Sequence, residues 1–184
     1  AHQIGNIRGV ISRKIKGTGA ILQVDRLIEL IRARLNDGKS VIVYINYHDT
    51  REWVESHLAA EGISFVSLHG KVINRDERQD ILDAFSARRA DVLLTSVAES
   101  LNIDSDVVIF YEFTTKIKQV MGRAHRGLEG KELELVFILT KDTDEVEYFM
   151  KYIYHRSLTI QKLLGKDYSE FIKVGEQIQR LALD

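Results

Sequence analysis

The chain has 184 residues, 45% apolar and 29% charged; it can bury one sizeable core or two small ones, which excludes disordered and collagen-like chains. Twenty-six Lys and Arg against 27 Asp and Glu leave a formal charge of −1, so no global positive excess marks a nucleic-acid binder and any anion site must be local. Cys is absent, excluding a disulfide framework or thiolate zinc site, and no apolar run or N-terminal core reads as a membrane span or signal peptide, which implies an intracellular protein, cytoplasmic or nuclear.

Pro is also absent, where average usage of about 5% gives roughly nine, so helix ends must be read from caps and periodicity. Residues 1–19 mix Gly5, Gly9, Gly17 and Gly19 with Arg8, Arg13, Lys14 and Lys16 and keep no period, which predicts a linker or arm. From Val24, apolar residues at 24, 27, 28, 31 and 35 follow helical spacing, and Gly38 supplies a left-handed stop. Residues 41–45 are a continuous apolar run, as in a strand covered on both faces. Asp49 and Glu52 form a capping box opening a helix through Ala60. Residues 65–68 are strand-like, 76–88 helical, 91–95 and 107–111 strand-like, 116–125 a short helix and 133–139 a further strand. After Thr143 the pattern becomes two helices, over 144–164 and 168–182, that form an appendix. Alternating strands and helices predict an α/β fold with a parallel sheet and right-handed crossovers.

In such a sheet chemistry sits in the loops beyond the carboxyl ends of the strands. Those loops hold Asn46, Tyr47 and His48, then His69, Gly70 and Lys71, then Ser96, Val97, Ala98 and Glu99, then Glu112 to Thr115. The most informative string runs from Gln119 to Arg126. Arg123 and Arg126 lie three apart, so on a helix both guanidinium forks project from one face and can reach one polyphosphate, and Gly122 permits close approach. The same pair also reads as an exposed basic helix end complementing a C-terminal dipole.

Gln-x-x-Gly-Arg-x-x-Arg after a strand resembles motif VI of the superfamily 2 helicases. The order of the rest extends the resemblance over residues 20–140: 41–46 looks like motif IV, Leu68-His69-Gly70 like the loop after it, and 94–103 like motif V. Residues 107–112 and the helical extension look most like the archaeal Hef and Fanconi M branch. The resemblance implies a RecA-like three-layer domain with a mainly parallel sheet over 20–142, plus C-terminal helices over 143–184 that pack on this domain or its partner lobe. It implies a helicase or translocase whose N-terminal RecA-like domain, the partner in the same parent chain, binds ATP and Mg2+, with DNA or RNA as the polymer.

By that resemblance Arg123 and Arg126 are arginine fingers on the γ-phosphate, Arg126 the nearer, and Gln119 couples the nucleotide to the lobe interface. Gly122 and Asn102 lie on the nucleotide side, while Thr95, Ser96, His69, Gly70, Lys71, Asn46 and Tyr47 line the strand. Bland readings stand beside these: a polar strand end at Thr95-Ser96, a solvated turn at His69-Gly70, a partly core Tyr47. Val120, Ser100 and Asn102 stand where relatives carry Arg, Gly and Asp. These departures leave open a non-catalytic nucleic-acid or protein-binding module with the same fold, or a plain interaction domain.

Other features carry less. Gly38-Lys39-Ser40 mimics the end of a phosphate loop but precedes its strand, so the chain alone is expected not to hydrolyse ATP. The six His are scattered and no cluster shows zinc spacing, so no metal is expected; Asp104 and Asp106 read as strand-start residues on one exposed face. Tyr148, Phe149, Tyr152, Ile153, Leu158 and Ile160 give the appendix a broad apolar surface, and Lys151, His155 and Arg156 give it a second place to meet nucleic acid.

Overall fold

The computed structural model describes residues 7–13, 19–97, 104–112, 134–141 and 144–164, with 172–173, 175–177 and 179–180 near the C-terminus. Among the described residues six strands, β1 (Ile7–Arg13), β2 (Val41–Tyr44), β3 (Phe65–Leu68), β4 (Val92–Thr95), β5 (Val107–Phe110) and β6 (Glu134–Lys141), make one sheet in the order β1-β6-β5-β2-β4-β3. Every ladder between them is parallel.

Strand alternation decides which layer each side chain joins. Val41, Val43, Val92, Leu94, Val107, Ile109, Val136 and Ile138 pack under α1 (Gly19–Asn36) and α2 (His48–Ala60), against Leu27, Ile31, Val54 and Leu58. Ile42, Tyr44, Leu93, Val108, Phe110, Leu135, Phe137 and Leu139 point to the other face, against Phe85 of α3 (Arg75–Ser86) and Phe149 and Ile153. Phe110 stacks on Phe137 at 4.8 Å and Phe149 meets Phe137 edge-on at 5.2 Å. Both faces are covered, so the central strands are unbroken apolar runs, and the domain is a three-layer α/β/α sandwich of the RecA-like type.

One expectation is corrected. Within the stretch expected to be a linker, Ile7–Arg13 pair with β6 as an edge strand, from Ile7↔Leu135 to Arg13↔Lys141. An edge strand needs only one paired side, so it tolerates the Gly9 and the charges at Arg8 and Arg13 that hide it in the sequence. The helices from Asp144 pack on this domain, one of the two places expected for them. α4 (Asp144–Phe149), a π-helical stretch (Met150–Tyr154) and α5 (His155–Leu164) follow one another, and Phe149 and Ile153 belong to the sheet's own core. Its apolar surface is therefore divided, with Tyr148 and Leu158 left exposed.

The left-handed stop read from the sequence at Gly38 is present, and the structure adds a second at Gly62 and a cap at Asn74. Gly38 ends α1 in the left-handed region at φ +73°, and Gly62 does the same after α2 at +69°. Asn74 caps α3, its Oδ1 accepting from the N–H groups of Asp76 at 2.8 Å and Glu77 at 3.3 Å. One long-range tie was not legible. Near the end of α1, Arg34 forks onto Glu134 at the start of β6, with Nε–Oε2 and Nη2–Oε1 both 2.7 Å and both side chains nearly shielded. That hydrogen bond outweighs burial and raises the Arg34 pKa above its ordinary value. The helix expected over 116–125 and the break between the two expected C-terminal helices, at 165–167, lie outside the described residues.

Candidate functional site

All the strands run the same way, so the loops leaving β2, β3, β4 and β5 gather at one edge of the sheet. After β4 the chain is tied inward. Tyr44 donates its hydroxyl to the Ser96 carbonyl at 3.1 Å, the Ser96 N–H donates to the Leu68 carbonyl at 3.2 Å, and the Ile45 N–H to the Thr95 carbonyl at 2.9 Å. Thr95 is 1% exposed, and its Oγ1 accepts from the Val97 N–H at 3.0 Å. Two residues after Leu93, Thr95 shares that residue's face of the sheet, so in this structure its hydroxyl shapes the loop from beneath. Ser96 is half-buried.

After β3, His69-Gly70-Lys71 form a turn closed by the Val72 N–H on the His69 carbonyl at 3.0 Å and braced by Arg78 Nε on the Val72 carbonyl at 2.7 Å. Gly70 and Lys71 are exposed. A Cβ at Gly70 would meet nothing within 4 Å, and its φ lies outside the left-handed region, so the fold itself places no demand for glycine there. His69 is half-buried, and its Nδ1 is buried without a hydrogen-bond partner among the described residues. Burial, and next the Arg51 guanidinium, hold the imidazole below its ordinary pKa, which keeps it neutral at pH 7. Behind it, buried Arg51 donates through Nε to Glu55 Oε1 at 3.1 Å, and Ser67 Oγ donates to the same oxygen at 2.7 Å. Sequence reasoning passed over Arg51 and Glu55, although their opposite charges four apart on a helix were the available signal.

After β2, Tyr47 occupies the N-cap position of α2, is 70% exposed and makes no side-chain cap. A partly core Tyr47 is thereby excluded. The expected capping box does not form, because α2 starts at His48 and Asp49 falls inside its first turn. Glu112, at the end of β5, ties down the backbone just ahead of the helix: its Oε2 accepts from the Asn46 N–H at 2.7 Å and the Tyr47 N–H at 2.9 Å. His48, Asp49 and Glu52 bring ligand atoms within 4.8 Å of one another on the exposed first turn of α2. That helical grouping escapes a search for paired-His spacing.

At the opposite edge, Asp106 and Ser40 make the matching tie between β5 and β2. Asp106 Oδ2 accepts from the Ser40 N–H at 2.8 Å and from Ser40 Oγ at 3.2 Å. Asp106 is thus partly shielded and does not lie on an open face, and Ser40 of the Gly-Lys-Ser triplet is committed to it. Asn102, Gln119, Gly122, Arg123 and Arg126 lie outside the described residues.

Among the described residues no helix is long and apolar enough to cross a membrane. The chain is 30% identical over 144 residues to the pre-mRNA-splicing ATP-dependent RNA helicase PRP28 of Pyricularia oryzae, a match covering 74% of this chain and 21% of that protein. It therefore spans about a fifth of the length of that curated relative. The helicase domain of Pyrococcus furiosus Hef superposes with a TM-score of 0.60 at 26% identity, covering 70% of this chain and 28% of that one. Saccharomyces cerevisiae Dbp5, solved bound to RNA and ADP BeF3, shares the fold with a TM-score of 0.66 at 19% identity, over 99% of this chain and 46% of that one. The helicase conserved C-terminal domain family matches residues 22–127, the stretch that builds β2 to β5 and ends just past Arg126. Since that match spans more than half of the 184 residues and the RecA-like sheet agrees with it, the chain belongs to the C-terminal domain family of the superfamily 2 helicases.

Proposed function

We propose that this chain is the second motor lobe of an ATP-dependent helicase or translocase. In this reading it supplies Arg123 and Arg126 to a nucleotide held mainly, with its Mg2+, by an N-terminal RecA-like lobe, and is inert as an ATPase alone. Gln119, Gly122 and Asn102 serve the same nucleotide side. The reading is carried by one observation: the loops at the carboxyl edge present an exposed aromatic ring at Tyr47 and an open Gly70-Lys71 turn on a sheet of the helicase type. A ring offers a stacking face to any base, a lysine a cation to a phosphate, and a glycine room for a backbone. His69, kept neutral, offers a hydrogen bond, and Asn46 and Ser96 flank the same path. DNA or RNA is the partner polymer, and the role places the protein inside the cell.

Titrating the purified chain with labelled single strands at several salt concentrations tests this. Lys71→Ala is expected to weaken binding and to lower the salt slope by about 0.7; an unchanged slope removes Lys71 from the path. Gly70→Ala is expected to leave stability within about 0.5 kcal/mol, read by urea unfolding, because nothing in the fold opposes a methyl group there. It should still weaken strand binding, since the space is needed by the ligand. Turnover of ATP by the isolated chain at a complete helicase's rate would overturn the division of labour, and strand binding without ATP coupling in the parent protein would favour the non-catalytic module.

A further inference from the structure

We infer that Glu112 is a positioning residue for the strand contact at Tyr47, acting through the two backbone N–H groups just ahead of α2. The inference rests on the proposed strand path. Tyr47 is exposed, so little packing holds its ring, and its backbone decides where that ring stands. One carboxylate oxygen of Glu112 fixes that backbone, at 2.7 Å from the Asn46 nitrogen and 2.9 Å from the Tyr47 nitrogen. No side-chain cap on α2 shares the task. β5 lies directly beside β2, with Phe110 opposite Tyr44 and the Tyr111 N–H on the Tyr44 carbonyl at 3.1 Å, so the carboxylate is delivered from a braced strand end.

Generic electrostatics and this role predict opposite signs. Removing a negative charge beside a polyanion tightens binding if charge alone matters, whereas loss of the tie weakens it. The test is anisotropy of labelled oligothymidylate and oligouridylate with the full chain and its Tyr47→Ala, Glu112→Ala, Glu112→Gln and doubly substituted variants. Tyr47→Ala should weaken binding on the order of tenfold, the scale of one lost stacking contact. Glu112→Ala should weaken it by several-fold, and the double variant should bind no worse than Tyr47→Ala alone, because both changes remove the same contact. Glu112→Gln, whose amide oxygen still accepts both N–H groups, should restore most of the affinity. Asp106→Ala, which cuts the matching tie at the other end of the same strand pair, should lower stability and leave binding unchanged.

Equal or tighter binding by Glu112→Ala, additive losses in the double variant, or an equal loss in Asp106→Ala would each overturn the positioning role. If Tyr47→Ala binds like the parent, the strand path through Tyr47 fails and the inference falls with it. That pattern is distinct from a Tyr47 loss that Glu112→Ala does not share.

Discussion

Alanine at Arg126 is expected to lower ATP turnover by about 10³–10⁵ in the protein that joins this lobe to its phosphate-binding partner, with strand affinity changed by less than about twofold. Phosphoryl transfer asks little covalent work of a protein. It asks for charge placed where charge develops, and a guanidinium supplied across a lobe interface does that only when the interface closes. Lysine at 126 should not rescue the rate, because a point charge on a flexible stem cannot reproduce a planar fork with several donors. Steady-state ATPase measured at saturating strand, beside anisotropy on the same preparation, separates the roles. Retained turnover with lost binding would reverse the assignment of Arg126. Arg123, three residues before it, is expected to show a smaller loss of the same kind.

The second large effect concerns stability and needs no partner. Glu134→Ala should cost about 3–5 kcal/mol and lower the melting temperature by about 6–20 °C, because it strands the nearly shielded Arg34 guanidinium without its fork partner. Urea unfolding at neutral pH reads this directly. Replacing both members together, Arg34→Met with Glu134→Leu, should recover most of the loss, since two apolar side chains of similar size leave no buried charge. A loss below about 0.5 kcal/mol in the single variant, the scale of a surface substitution, would show that the pair is open to solvent in practice.

Particular residues show how much of the lobe could be read in advance. β3 matches its sequence range residue for residue, and β2, β4 and β5 lie within theirs, because an unbroken apolar run bounded by polar residues is a local signal. Gly38 was legible for the same reason: a left-handed stop belongs to the residue that adopts it. The family assignment was legible too, through the order of short strings between Asn46 and Arg126. The burial of Thr95 was not legible, because its residue type suits phosphate binding and only the alternation of a doubly covered strand turns its hydroxyl inward. The capping box at Asp49 and Glu52 failed because α2 starts at His48, which puts Asp49 inside the first turn.

By itself, then, the sequence determined the period of each central element, its glycine stops, the α/β class and the helicase family. The tertiary structure decided that Ile7–Arg13 close the sheet as its edge, that the helices after Asp144 complete a core layer, and that Tyr47 stands in solvent while Thr95 does not. It also decided which distant carboxylates serve which donors: Glu112 for Asn46 and Tyr47, Asp106 for Ser40, Glu134 for Arg34. Period and turn chemistry are written in residues a few positions apart. A carboxylate that satisfies an N–H or a guanidinium 65 to 100 residues away depends on strand order, and strand order is fixed only when every layer packs at once.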